Sequence, residues 1–223
     1  MPVGKIQDYL QTQGLSLPKD RVHMSYLAVR AVMDAGHASI DRSVLWYVAD
    51  GVMLSDYVVQ EAENEVLLKQ IFIALDSVFS RVEKAQNATV YILMPSENNE
   101  RCLLRLVQQG KPIEPKLLVD EELNRSYLPV RTAQTGWLNL VDDVELWLQQ
   151  GELEGTHHKR SSSQISLPVC TDSGAVLGVV HVEYAEKDIL DDENQAEWVA
   201  LSLALAQPLS ELLNIELSEN NHE

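Results

Sequence analysis

The side chains with chemical capacity in this 223-residue chain gather late in it. His157-His158-Lys159-Arg160 is its densest basic cluster, enough to hold one anionic group but not a duplex. Just beyond, Gln164, Ser166 and Pro168 alternate with Ile165, Leu167 and Val169, the period of a half-buried strand. After the turn Asp172-Ser173-Gly174, His181 and Glu183 alternate in the same way with Val180, Val182 and Tyr184. Two neighbouring strands thus offer one polar side carrying an amide, an imidazole and a carboxylate, a set suited to a small zwitterionic or amide-bearing ligand. Nothing in the chain matches a Gly-rich phosphate loop, HExxH or GxSxG. Adjacent histidines diverge on a helix or a strand, so His157-His158 reads as a solvated loop and no metal site is expected. Cys102 and Cys170 lie in separate predicted strands without metal or redox spacing, and read as small buried side chains. No nucleophile and base pair emerges, so the expectation is a protein that is not an enzyme.

The elements that must hold these residues follow from periodicity. Trp198, Leu201, Leu205, Leu209 and Leu212 recur at helical spacing from Asp191 to Leu217, behind Asp191, Asp192 and Glu193 at the N-terminus and with Pro208 expected to kink the run. Because that stripe outruns the sheet it would cover, it predicts a homodimer through the long helices. Leu68, Phe72, Leu75 and Phe79 define a second helix, Val66 to Val82. Strands are expected at Ala88 to Leu93 and Cys102 to Val107, separated by a polar turn from Ser96 to Arg101. Glu121 to Thr132 reads as a helix, Trp137 to Val141 as a short strand, Asp142 to Gln150 as a helical turn, and Gly151 to Ser163 as a mobile loop. Upstream, Lys5 to Gln11 and Arg21 to Ala35 are predicted helices, the second capped by Asp20 and stopped by Gly36. Val44 to Tyr57 fits either a hairpin turning at Asp50-Gly51 or a buried helix.

The succession "SSSQISLPV", polar turn, "GAVLGVVHVEY", acidic loop and long helix resembles the C-terminal half of a GAF domain, a small-molecule sensing module. "ATVYIL" is similar to that family's first strand, and "YLPVRTAQTGWLNLVDDV" to its central helix, tight turn and pocket segment. The resemblance implies an α+β sandwich: an antiparallel sheet of five or six strands, long helices on one face and a ligand cavity on the other. It places the sensor at residues 64–217, after a mainly helical extension (1–63) and before a disordered tail (218–223). Ile165, Leu167, Val169, Val180, Val182 and Tyr184 should then face the helices. Gln164, His181 and Glu183 should face the cavity, with Trp137, Trp147 and Tyr127 in the segments that roof it and Asp143 in the pocket segment.

Free methionine sulfoxide reductases share this framework, with "SxSE" before one strand and "GVLDIDS" after it. Here the corresponding positions carry Gln164 and His181 in place of acids, and Thr156 to Arg160 contains no cysteine. Thiol-dependent reduction needs a thiolate nucleophile, so this activity is not expected. The pigment-binding branch attaches its chromophore through a cysteine beside a histidine, a neighbour that neither Cys102 nor Cys170 has, whereas the stretch Glu186 to Glu193 loosely echoes the cyclic-nucleotide branch, which stays open as a ligand class.

Composition bounds the rest. With 45% hydrophobic and 23% charged residues the chain is that of a globular protein able to bury a core without staples. A net charge of −17 repels phosphate backbones and anionic lipid, so neither nucleic acid nor membrane is an expected partner. Without a signal-peptide pattern, the default location is the cytoplasm. The reading is a stand-alone regulatory domain that binds a small molecule of unknown identity and signals through contact with another protein; its cofactor is unknown. The rival is a ligand-free dimerisation or interaction module.

Overall fold

The computed structural model describes residues 3–36, 39–95 and 101–215. The turn expected between Ser96 and Arg101 lies, except for Arg101, outside the described residues, as do the tail 218–223 and the last residues of the helix expected to reach Leu217. Helices α1 (Val3–Thr12), α2 (Lys19–Ala35) and α3 (Arg42–Leu45) lead to a two-stranded hairpin, β1 (Val48–Ala49) with β2 (Val52–Met53). Asp50 and Gly51 both have positive φ, 49° and 77°, at the turn of this hairpin, so the Asp-Gly signal prevails over the buried-helix alternative. Helix α4 (Ala62–Arg81) follows, then strands β3 (Ala85–Met94), β4 (Cys102–Gly110) and β5 (Lys116–Leu118). Helix α5 (Leu128–Thr135), β6 (Asn139–Val141), α6 (Val144–Gln149), β7 (Ser163–Cys170), β8 (Val176–Tyr184) and α7 (Asp192–Leu212) complete the order.

β3 to β8 form one antiparallel sheet in the order β5-β4-β3-β8-β7-β6. The architecture is α+β. Alternation along the strands sends Ala88, Val90 and Ile92, with Leu104, Leu106, Ile165, Leu167, Val169, Val180, Val182 and Tyr184, into a core shared with α4 and α7. α7 begins at Asp191, whose carboxylate accepts from the Asn194 N–H at 2.8 Å, and it runs through Pro208 to Leu212. The helix comes very close to the sheet at Gly178. A Cβ there would stand 2.6 Å from Leu209 and 2.2 Å from the Tyr91 carbonyl of the neighbouring strand.

The N-terminal helices belong to the same core. Ile6, Leu10, Val22, Val29 and Met33 are buried with it, and α2 packs most extensively against α7. Trp198, Leu201, Leu205 and Leu209 therefore have no exposed surface at all. All of the stripe but the partly buried Leu212 is thus buried inside the chain, and the argument for a dimer through it loses most of its surface. Glu197 of α7 fixes this layering, accepting from Ser25 of α2 at 2.8 Å and from Arg81 of α4 at 2.8 Å.

Two further expectations are corrected. No helix runs from Glu121 to Thr132: a 3-10 turn, Glu121–Leu123, is followed by extended Tyr127, and α5 starts only at Leu128. Pro129 has no N–H to donate and fits only the first turn of a helix, so the helix begins around it. Nor is 151–163 a free loop. Thr156–Arg160 is a 3-10 turn packed on the sheet, with His158 2% exposed.

Candidate functional site

The second face of the sheet carries a polar grid. Across β3, β8 and β7 the register aligns Asn87, Glu183 and Gln164 in one row and Thr89, His181 and Ser166 in the next. All six are at most 2% exposed. Strands made of polar residues every second position would form a wet outer face if left uncovered, so this burial requires a roof. The roof consists of Ile113 and Glu114 after β4, Leu117 of β5, Tyr127, Leu128 and Pro129 at the start of α5, and His157, His158 and Arg160 of the 3-10 turn. Gly155, at φ 109°, turns the chain so that the His157 ring folds back over its backbone, where a Cβ would meet the ring at 2.6 Å. That ring stacks on Tyr127 with centroids 4.5 Å apart, and its Nε2 lies 2.5 Å from the Ser126 carbonyl. From the floor, the Tyr91 hydroxyl donates to the Glu114 carbonyl at 2.8 Å.

One ion cluster joins roof to floor. The Arg160 guanidinium donates from Nε to both Glu183 oxygens at 2.8 and 2.9 Å, and from its two terminal nitrogens to the two Glu114 oxygens at 3.0 Å each. Asn87 Nδ2 donates to Glu183 Oε2 at 2.6 Å, and His181 Nε2 lies 3.5 Å from Glu183 Oε1. Burial alone would push the Glu183 carboxyl up, but His181 and Arg160 together outweigh it and hold the group down at about 2. Glu114 is likewise lowered: burial opposes ionisation and the Arg160 hydrogen bonds overcome it. The His158 imidazole goes the other way from its usual range, lowered to about 4 by burial and then by the neighbouring histidines. It is thus neutral at pH 7, and its Nδ1 can accept from Gln164 Nε2 at 3.2 Å.

The grid is incompletely satisfied. Among the described residues, Asn87 Oδ1, Thr89 Oγ1, Gln164 Oε1, Ser166 Oγ and His181 Nδ1 are buried without a hydrogen-bond partner. Buried polar atoms normally find partners, so five without one on a single face of the sheet is an unusual concentration. The cavity volume that remains is about 10 Å³, roughly room for one water.

Gln164, His181 and Glu183 thus lie together against one small cavity, and Tyr127 lines its roof. Trp137, Trp147 and Asp143 lie elsewhere. Trp137 is 55% exposed between α5 and β6, and Trp147 sits on α6 with the Arg131 guanidinium 5.9 Å from its ring. Asp143 caps α6, accepting from the Leu146 N–H at 3.0 Å, and pairs with Lys187 at 2.9 Å. The reason is topological: β6 is the edge strand beside β7, so the segments just before and after it extend past the sheet, while the start of α5 crosses over it. Glu114, His158 and Arg160 also line the cavity, while Asn87 and Thr89 stand in the grid beside it without lining it; none of the five was an expected ligand contact. The thiols are not among the lining residues, and burial raises both, Cys170 to about 11.

Comparison with known proteins bears on the fold. No protein-family model matches this sequence, and no curated protein matches it. Solved structures do. A structure described as that of a GAF sensor protein from Burkholderia vietnamiensis is similar at a TM-score of 0.57 and 16% identity, covering 87% of this chain and 97% of that one. The GAF domain of an Acinetobacter phosphoenolpyruvate-protein phosphotransferase gives a TM-score of 0.56 at 15% identity, over 88% and 98% of the two chains. A type II free methionine-R-sulfoxide reductase from Thermoplasma acidophilum gives 0.56 at 14% identity, over 68% and 97%. The fold is GAF-like, a scaffold that serves both sensors and enzymes.

Proposed function

We propose that this GAF-like chain is a regulatory module that binds a small polar molecule in the cavity over β3, β8 and β7 and signals by contact with another protein. The observation that carries the reading is the buried grid of Asn87, Thr89, Gln164, Ser166, His181 and Glu183, whose unpartnered atoms are roofed rather than wet. A grid serving only to fold the protein would be satisfied internally or replaced by apolar side chains, as on the opposite face of the same strands. In this reading Gln164, His181 and Glu183 contact the ligand, Asn87 fixes the Glu183 carboxylate, and Tyr127 closes the roof. Trp137, Trp147 and Asp143 are not part of it. The protein partner replaces a homodimer through α7, whose apolar surface is used inside the chain.

The reading excludes thiol-based reduction. Thr156–Arg160 has no cysteine, and raised, peripheral thiols supply little thiolate. No helix of the described residues is long and apolar enough to cross a membrane, which accords with a protein that acts in the cytoplasm.

One observation favours the second reading, a ligand-free interaction module: the cavity as it stands is filled nearly completely by the protein's own side chains. Native mass spectrometry of the chain purified from its own cells separates the two. A retained small molecule, lost in His181→Ala while the circular dichroism spectrum is unchanged, supports the sensor. A clean apo mass, with no binding from a metabolite extract, supports the interaction module.

A further inference from the structure

The side chain that fills the cavity is itself informative about what the cavity takes. Arg160 meets two carboxylates from different parts of the chain: Glu183 in the floor strand β8, 1% exposed, and Glu114 in the roof. Its Nε edge lies on Glu183 and its outer edge on Glu114, where two parallel hydrogen bonds of 3.0 Å match both oxygens. Two carboxylates disposed around one planar group in this way fit a delocalised cation with donors along several edges. A compact ammonium, with its donors at a single point, cannot span them.

Arg160 is not built into the sheet. It ends a short 3-10 turn beyond Gly155, and its side chain is 31% exposed, so it enters the seat from the roof and from the solvent side. Directly beside the seat, the fully buried Gln164 presents Oε1 without a partner and the 2% exposed His181 presents Nδ1 without one. Both line the cavity. Arg160 satisfies the carboxylates and leaves these two groups unmet, as a partial stand-in for a larger molecule does. The local charge agrees, with two carboxylates against one guanidinium.

We propose that the seat between Glu183 and Glu114 binds a guanidinium or amidinium group of the small molecule, and that Arg160 occupies it as an intramolecular competitor until the ligand arrives. This rests on the cavity being a small-molecule site. Gln164 Oε1 and His181 Nδ1 then receive donors from the remainder of the ligand. A side chain tethered this closely competes at an effective concentration on the order of millimolar, so the ligand's apparent affinity is reduced by the fraction of time the seat stands open. Binding releases Arg160 and moves the turn Thr156–Arg160, and this moving turn is the surface change a partner protein can read.

The test uses the full chain with Arg160→Ala, and methylguanidinium and methylammonium chloride as probes in the millimolar range. Thermal melting and the side-chain amide resonances of Asn87 and Gln164 are the readouts. Methylguanidinium should bind the variant saturably, shifting those resonances and raising Tm, at least tenfold more tightly than it binds wild type. Methylammonium should do neither, and adding Glu114→Gln to Arg160→Ala should abolish the response. A folded variant indifferent to methylguanidinium, or equal responses in variant and wild type, would overturn the assignment. If Arg160→Ala does not fold, Arg160→Lys, which leaves the fork incomplete, carries the same titration with the same two readings. The cavity's function and this seat fail separately. A co-purified molecule lacking a planar cation refutes the seat alone, whereas a wild-type chain that binds no metabolite removes the sensor reading and leaves the seat to be decided by the variant's titration.

Discussion

The two faces of the sheet are made by the same strands, are equally buried, and differ in almost everything else. Toward the helices, Ala88, Val90, Val180, Val182, Ile165 and Leu167 pack against α4 and α7 with no exposed surface. Toward the cavity, their immediate neighbours Asn87, Thr89, His181, Glu183, Gln164 and Ser166 are as deeply covered and yet leave five polar atoms unmet. Burial alone therefore does not distinguish a core from a site. What distinguishes them is completeness: the side chains just named on one face carry no polar atom to satisfy, while those on the other retain unsatisfied hydrogen-bonding capacity at a cost to stability.

The sharpest way to break this comparison is at the helix face. Trp198 is fully buried and donates from Nε1 to the Tyr184 hydroxyl at 2.5 Å, so Trp198→Ala should cost about 4 kcal/mol of unfolding free energy in urea titration. A loss under about 1 kcal/mol would mean that the apolar layer is not the stabilising one.

Next in size is the ion cluster. Glu183→Gln leaves the Arg160 guanidinium with half its carboxylate partners and should cost roughly 3 kcal/mol. It should also change the acid profile. Unfolded Glu183 takes its proton near 4.5, but the folded side chain does so only near 2, so its stabilisation is complete above pH 4.5 and fades as pH falls toward 2. His158, lowered from 6.5 to about 4, adds an earlier loss between those values, because there the unfolded chain binds the extra proton. Wild type should thus weaken in two stages on acidification, and Glu183→Gln should lose most of the second, of which Glu114 keeps the remainder. An unchanged profile in the variant would show that Glu183 is not held ionised by the cluster.

The smallest effect is the most discriminating. Ser166 is fully buried and its hydroxyl has no partner, so Ser166→Ala should be neutral or stabilising, within about 0.5 kcal/mol, while weakening retention of the co-purified ligand. A clear destabilisation would mean that the hydroxyl is satisfied in the folded chain and that the grid is structural.

These contrasts also explain what could be read from the sequence. Alternation at period two divides residues between faces, and it placed Ile165, Leu167, Val169, Val180, Val182 and Tyr184 on the helix side and Gln164, His181 and Glu183 on the other. The same alternation runs through Asn87, Thr89 and Tyr91, but a strand taken to start at Ala88 hides its first polar member. Glu114 and Arg160 have no periodic signal, since they come from irregular segments where a charge is ordinarily solvated. His157-His158-Lys159-Arg160 was legible as a place for one anionic group, and the anions that Arg160 meets are the chain's own Glu183 and Glu114. Aromatic size misdirected the roof: Trp137 and Trp147 are large, but position in the fold gave that role to Tyr127. The helix pattern of α7 was clear, as was the apolar side of α2, but a single sequence does not say which faces meet. That pairing, Val22, Val29 and Met33 with the α7 layer, is what removed the exposed stripe.

The strand order β5-β4-β3-β8-β7-β6 has a consequence for how the protein is made. β3, β4 and β5 are consecutive in the chain, as are β6, β7 and β8, so each trio can zip up from near neighbours. The seam between β3 and β8 joins residues as far apart as Asn87 and Glu183, 96 positions in sequence, and must wait for the slow closure of a long loop. Both rows of the grid cross that seam, and the seat takes Glu114 from the early trio's side and Arg160 and Glu183 from the late one. During synthesis the nascent β3 edge stays unpaired until nearly the whole sheet has emerged. The polar grid is complete only once β3 and β8 have paired.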